Sequence, residues 1–127
     1  MLIEDYFKNF QNIIDSIQLI KSKNVVYQKR DKYLGYIKGK IQLLDGSSLY
    51  FTEYVEVEYG IDRGKYSYQY MNQNNQLIFR YDNAPHHQKL NLSSFPHHKH
   101  DGSENNIIAS NAPNLYAIFR EIQDKFN

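Results

Sequence analysis

Cysteine and tryptophan are absent from this 127-residue chain, and it contains only three prolines. Without cysteine the chain has neither disulfide bonds nor thiolate metal ligands, which suits a reducing compartment. No apolar run approaches the roughly 20 residues that a helix needs to cross a bilayer, so we expect no membrane segment. Histidine is missing from most of the chain, because all five histidines lie between positions 86 and 100.

Common catalytic motifs are missing as well. The sequence has no Gly-x-Ser-x-Gly elbow, no His-Glu-x-x-His zinc motif and no glycine-rich phosphate loop, which disfavours the usual serine hydrolases, zincins and P-loop proteins. The first ten residues, MLIEDYFKNF, carry acids early and lack a basic region before an apolar run. We therefore expect no signal peptide and a cytoplasmic location.

Size and periodicity predict one α+β domain over residues 1–127. The chain is too short for two independent cores, and its 41% hydrophobic and 23% charged residues are typical of a soluble globular protein. The predicted elements are a helix over 2–18, a β-type segment around 24–27, strands at 36–43, 49–59, 65–72 and 76–82, and a helix over 113–126. We expect an antiparallel four- to five-stranded meander with the N-terminal and C-terminal helices packed on one face.

Charge is unevenly distributed although the net charge is only +1. Residues 21–40 contain seven Lys or Arg against one Asp, whereas residues 45–62 contain five acids and no base. Cross-strand charge pairs on a solvated sheet face are the favoured interpretation, and a basic face that attracts phosphate is the alternative. The twelve tyrosines are expected to pack in strands or to stack on bases.

Two strands place charged residues at informative positions. Glu53 shares the parity of Phe51 and Val55, so alternation puts its carboxylate on the apolar face. Such a carboxylate needs a partner, either a structural ion pair with Arg80 or a functional role. Arg80 and Asp82 point to the same side of their strand, where Arg80 is suited to clamp a phosphate and Asp82 to orient a histidine.

The histidines lie in a segment of about thirty residues after Asp82 that shows no regular pattern, and long loops of this kind are usually functional or mobile. Its two halves, APHH and FPHHKH, each begin near a proline. Imidazoles supply general acids and bases at neutral pH. Three interpretations stay open: acid/base chemistry such as RNA cleavage, a metal site, or a histidine-rich surface loop. For a metal site, Glu53, Asp82 or His86 would join His98 and His100.

LIFRYDNAPHH (Leu77–His87) and FPHHKH (Phe95–His100) resemble the signature of the TumE-type toxins, which belong to prokaryotic toxin–antitoxin pairs. The upstream segments GYIKG, LDGSSLYFTEY and YSYQY resemble the rest of that pattern, so the likeness spans roughly residues 5–110. The resemblance implies a single TumE-like domain and a cytoplasmic toxin encoded beside an antitoxin, often one with a helix-turn-helix domain. The matching polar positions are Glu53, Tyr68, Arg80, Asp82, His86, His87, His97, His98 and His100.

The combined hypothesis is a toxin that inhibits growth as a metal-independent endoribonuclease without a cofactor. The candidate catalytic residues are His97, His98, His100, His86, Glu53 and Asp82. The candidate substrate-binding residues are Arg80, Lys99, Tyr68, Tyr70 and His87. The expected partners are the antitoxin, RNA and, as a further candidate, a second copy of the chain. The alternatives are a metal-dependent hydrolase or transferase, and a non-enzymatic binding module that uses the face of Tyr66, Tyr68 and Tyr70.

Overall fold

The computed structural model describes residues 1–126, apart from the side chain of Gln88. It confirms the α+β prediction with one helix near each end of the chain. The elements are α1 (Ile3–Asp15), β1 (Ile20–Asp31), β2 (Leu34–Leu43), β3 (Ser48–Glu56), β4 (Asp62–Met71), β5 (Leu77–Asp82), β6 (His98–Asp101), β7 (Ile107–Ala109) and α2 (Leu115–Lys125). Neither of these helices is long and apolar enough to cross a membrane.

The sheet is a meander in which β1 to β7 follow each other in chain order and every pair is antiparallel. It therefore has seven strands rather than the four to five that the sequence predicted. The additional strands β6 and β7 lie in the segment that showed no regular pattern. With four and three residues, they are too short for an alternation of apolar and polar residues to be recognised.

The core lies between one face of the sheet and the two helices. We call this face of the sheet the helix face and the opposite one the outer face. Alternate residues of β2 to β5 are buried on the helix face, where they pack against α1 and α2. Gly35 permits the close approach of α1, because a Cβ atom there would lie 2.5 Å from Cζ of Phe7. Amphipathic helices gain most of their stability from such packing.

The predicted cross-strand charge pairing is wrong. The register places Lys38 opposite Thr52 and Lys40 opposite Tyr50. Within residues 1–126 no ion pair joins the basic segment 21–40 to the acidic segment 45–62; the ion pairs of the basic segment run to acids of α1. Alternation predicted which face each lysine occupies, but only the register decides what lies across from it.

Glu53 lies on the helix face, as predicted, and is fully buried. Its carboxylate accepts hydrogen bonds from the hydroxyl groups of Tyr6 and Tyr68, and Nη1 of Arg63 lies 3.7 Å from Oε2. The partner is thus Arg63 rather than Arg80. Burial and the Glu53 carboxylate raise the pKa of Tyr68 well above its ordinary value, so this hydroxyl stays protonated and donates. Several donors together offset the cost of burying the charge.

Tyr68→Phe is expected to lower the free energy of unfolding by about 1–3 kcal/mol, because it leaves a buried carboxylate oxygen of Glu53 without its donor. Tyr50→Phe is the matched control, since the Tyr50 side chain lies on the outer face and is 38% exposed; it should change stability by less than about 0.5 kcal/mol. Urea denaturation of both variants measures the difference. Equal stability of Tyr68→Phe and the unchanged protein would contradict the structural role of this network.

Candidate functional site

The pairing of β5 with β6 assembles the candidate site on the outer face. Arg80 lies directly opposite His100, and Asp82 lies opposite His98. Because side chains alternate along each strand, these four point away from the helices. His98 and His100 are nevertheless 2% and 3% exposed, since the segment between β5 and β6 folds over them. The shared orientation of Arg80 and Asp82 that the sequence predicted is confirmed.

His98 contacts a hydrogen-bond acceptor on each ring nitrogen. Its Nδ1 lies 2.9 Å from the carbonyl oxygen of Pro96, and its Nε2 lies 2.9 Å from Oδ1 of Asp82. Neither oxygen donates, so both bonds form together only when the ring carries a proton on each nitrogen. The geometry therefore accommodates an imidazolium beside the Asp82 carboxylate.

His100 adopts the other protonation pattern. Its Nδ1 lies 2.9 Å from the carbonyl oxygen of Glu104, and its Nε2 lies 3.1 Å from Nη2 of Arg80. Since guanidinium only donates, Nε2 of His100 accepts this bond and the proton resides on Nδ1. His100 is therefore a neutral imidazole whose lone pair faces the cluster.

Arg80 is held by carboxylates. Its guanidinium makes a two-pronged contact with Glu104, with both Nη–Oε distances at 2.7 Å, and donates from Nε to Oδ2 of Asp82 at 3.2 Å. The Glu104 side chain is 59% exposed and lies in the turn between β6 and β7. Arg80 thus presents a cation on the outer face, and its main partner is a carboxylate at the protein surface.

His87 completes the cluster from the segment that follows β5. Its ring centre lies 4.8 Å from that of His98 and 5.5 Å from that of His100. Burial, followed by the imidazoles of His98 and His100, lowers the pKa of His87 below its ordinary value of 6.5. His86 is exposed and stands farther out, with its ring centre 6.3 Å from that of His87.

Asn83 positions this segment, and sequence reasoning missed it. Its side-chain amide donates to the carbonyl oxygen of Gly64, and its Oδ1 accepts from the backbone N–H of Tyr66. These two bonds fasten the chain to β4 where it leaves β5, so His86 and His87 come to lie over the outer face. A polar residue directly after a strand and before Ala84-Pro85 was the available signal. Glu104, the partner of Arg80, was missed too, and nothing in its sequence context marks it.

Five of the predicted site residues lie on the helix face, on the opposite side of the sheet from the cluster. They are Glu53, Tyr68, Tyr70, His97 and Lys99. Glu53 and Tyr68 belong to the buried network, and the Tyr70 hydroxyl donates to Ser47. Lys99 lies over the Tyr81 ring and reaches Glu121 of α2 at 3.2 Å.

His97 stacks on Tyr66 with ring centres 5.7 Å apart, and its Nδ1 lies 2.8 Å from the Tyr66 hydroxyl oxygen. Tyr66, Tyr68 and Tyr70 are each at most 2% exposed. They therefore cannot present a binding face to a partner, and that prediction is corrected.

The cluster brings together the groups that two kinds of chemistry require. The imidazoles of His87, His98 and His100 and the guanidinium of Arg80 form an acid/base and anion-binding set. The side-chain nitrogens of His87, His98 and His100 also lie within 4.8 Å of one another, so the same rings could hold a metal ion. They line a cleft that extends over β3 and β4 to Thr52, Lys65 and Ser67.

Comparison with known proteins gave one family and no individual relative. A search of curated proteins and a search of solved structures found no match. The model of the family described as Toxin TumE matches residues 10–126, which is nearly the whole chain. This match includes α2 in addition to the sheet and the cleft, and such a toxin family implies an antitoxin as partner. The chain belongs to the TumE toxin family.

Proposed function

We propose that this chain is a cytoplasmic toxin that inhibits growth by cleaving RNA, with histidines as its acid and base. The observation that carries the proposal is the shared cleft of His87, His98 and Arg80. Transesterification of RNA needs a base for the 2′-hydroxyl, a proton for the leaving oxygen and a cation at the phosphate. The three side chains supply these groups in one place, and Oδ1 of Asp82 lies 2.9 Å from Nε2 of His98, where a carboxylate favours the protonated ring.

In the proposed reaction His87 is the base. Its lowered pKa keeps the ring neutral at physiological pH, so a ring nitrogen accepts the proton of the 2′-hydroxyl. The 2′ oxygen then bonds to phosphorus, and the bond from phosphorus to the 5′ oxygen of the next nucleotide breaks. The His98 imidazolium supplies the proton that this leaving oxygen takes up.

Arg80 binds the phosphate in this mechanism. A phosphodiester offers the same pair of acceptor oxygens as the Glu104 carboxylate, and guanidinium binds both kinds of group with two parallel hydrogen bonds. Because the Glu104 side chain is 59% exposed, water can solvate its carboxylate when a phosphate takes its place. His100, which accepts from Arg80 at 3.1 Å, keeps the guanidinium directed towards the cleft.

We propose an antitoxin with a helix-turn-helix domain as the neutralising partner. The toxin family supports an antitoxin as partner. All the groups that the proposed reaction uses come from one chain.

A metal-dependent hydrolase or transferase is the second candidate, and one observation favours it. Nδ1 of His98 and Nδ1 of His100 each lie 2.9 Å from a backbone carbonyl oxygen. This arrangement fixes metal-ligating histidines in many sites and turns Nε2 towards the ion. Both Nε2 atoms lie beside the Asp82 carboxylate, at 2.9 Å and 3.7 Å, and His87 stands close by. Three imidazoles and a carboxylate suit Zn²⁺ or Mn²⁺.

His87→Ala and His98→Ala are expected to lower RNA cleavage at least 100-fold, because each removes a proton-transfer group. His97→Ala is the matched control, since this neighbouring histidine stacks on Tyr66 outside the cleft. Cleavage is measured on purified protein together with growth after induction. His87 is only partly buried, so its replacement leaves the fold intact, which circular dichroism checks. Full toxicity and full RNA cleavage by both variants would contradict the proposal.

The rate of RNA cleavage is expected to fall at acidic pH with a midpoint below 6.5. A base must be unprotonated, so the rate decreases as the pH drops through the pKa of His87, and that pKa is lowered from 6.5. The pH dependence of kcat/KM reports this group in the free enzyme. The residual activity of His87→Ala should lack the acidic limb. A midpoint above 6.5 would assign the base to another group.

Cleavage by tag-free protein is expected to continue at an unchanged rate in excess EDTA, because the acid/base mechanism uses protein groups alone. Titration calorimetry with ZnCl₂ and MnCl₂ runs in parallel on the unchanged protein and on His87→Ala. Loss of cleavage in EDTA that Zn²⁺ or Mn²⁺ restores would replace the first candidate by the second.

A further inference from the structure

The outer face of the sheet carries a pattern that neither the fold nor the cleft explains. Three tyrosines stand there in neighbouring strands, and Tyr36 lies directly opposite Tyr54. Tyr50 and Tyr54 are 38% and 41% exposed, whereas the residues that alternate with them in β3 are buried on the helix face. Exposed aromatic rings in the middle of a sheet contribute nothing to its core and commonly mark a binding surface.

Basic side chains alternate with these rings. Nζ of Lys40 lies 5.4 Å from the ring centre of Tyr50, and the guanidinium of Arg30 lies 6.0 Å from that of Tyr36. Lys38 and Lys65 are exposed on the same face, beside Thr52 and Tyr54. Within residues 1–126 none of these four cations has a carboxylate within 4 Å. Their charge is therefore available to an anionic ligand.

The tyrosine and lysine surface is continuous with the histidine cleft. One cross-strand row runs from Lys40 through Tyr50 and Gln69 to Arg80 and His100. Tyr50 and Arg80 are two strands apart, or about 10 Å. The cleft itself reaches back over β3 and β4, where Lys65 forms part of its wall.

We propose that the part of the outer face that carries the three tyrosines together with Arg30, Lys38, Lys40 and Lys65 binds single-stranded RNA and leads it into the histidine cleft. The inference rests on the proposed function, since it names the form of RNA that the cleft receives. Phosphates pair with the lysines while bases stack on the tyrosine rings, the combination that single-strand binders use. When lysines neutralise phosphates, counterions are released, so the affinity for RNA should fall as the salt concentration rises.

A single strand fits this face better than a duplex. Stacking on a tyrosine ring requires a base whose face is free, and the bases of a double helix are covered by their neighbours. The acids Glu56 and Asp62 stand at the end of β3 and the start of β4. They face each other across β3 and β4, and the basic region ends at this pair.

The test measures binding separately from cleavage. The probe is a short fluorescein-labelled RNA of mixed sequence with 2′-O-methyl groups, which lack the nucleophile and remain intact. Fluorescence anisotropy compares the unchanged protein with Tyr50→Ala/Tyr54→Ala and with Lys38→Ala/Lys40→Ala. The matched controls are Tyr116→Ala and Lys8→Ala, which remove exposed side chains of the helices. Each double variant should bind roughly tenfold more weakly, and the controls should bind as the unchanged protein does.

The outcomes separate this inference from the proposed function. Tenfold losses confined to the outer-face variants support the inference even if cleavage assays fail. Unchanged affinity of these variants would overturn it and leave a working ribonuclease intact. A duplex of the same sequence that binds as tightly as the single strand would also overturn it. So would variants that keep their RNA affinity and instead lose binding to the purified antitoxin, because the face would then be a protein interface.

Discussion

The antiparallel register between β5 and β6 is the constraint on which the site depends. It sets Arg80 opposite His100 and Asp82 opposite His98, so the cation, the carboxylate and two imidazoles meet on one face. A slip of one residue would turn both histidines towards α2 and bring Lys99 to the outer face, since side chains alternate with a period of two. Lys99 resists such a slip, because its ammonium group is held by Tyr81 and Glu121 on the helix face.

The two faces of the sheet contain buried charges that serve different purposes. On the helix face, hydroxyl groups of Tyr6 and Tyr68 saturate the Glu53 carboxylate, and burial keeps both hydroxyls protonated. That network stabilises the core. On the outer face, His98 is equally buried but borders a cleft, and the guanidinium beside it is held by an exposed carboxylate. The outer-face arrangement lines the histidine cleft, where a ligand can reach the guanidinium.

Much of this fold could be predicted because its elements are long and regular. The amphipathic helices and the alternation of β2 to β5 have clear periods, and the same alternation placed Glu53 on the helix face and Arg80 with Asp82 on the other. The sides taken by His97 and Lys99 could not be predicted, because β6 is four residues long. A strand this short shows no clear alternation in the sequence, so the face of the sheet that each side chain takes follows only from the pairing with β5.

The acid/base and metal interpretations of the cleft place different species, a proton or a metal ion, on the same atom, Nε2 of His98, so the two exclude each other there. The Nδ1 proton of His98 is held by the carbonyl oxygen of Pro96 in either case. Nε2 then carries either a second proton, paired with Asp82, or a metal ion. A proton at Nε2 makes His98 an acid and gives the ring a positive charge that opposes cation binding beside it. The Asp82 carboxylate favours both occupants, but the Nε2 lone pair of His100 already accepts from Arg80 at 3.1 Å. A metal ion would therefore have to displace the guanidinium before His100 could bind it, whereas a proton at Nε2 of His98 leaves that contact intact.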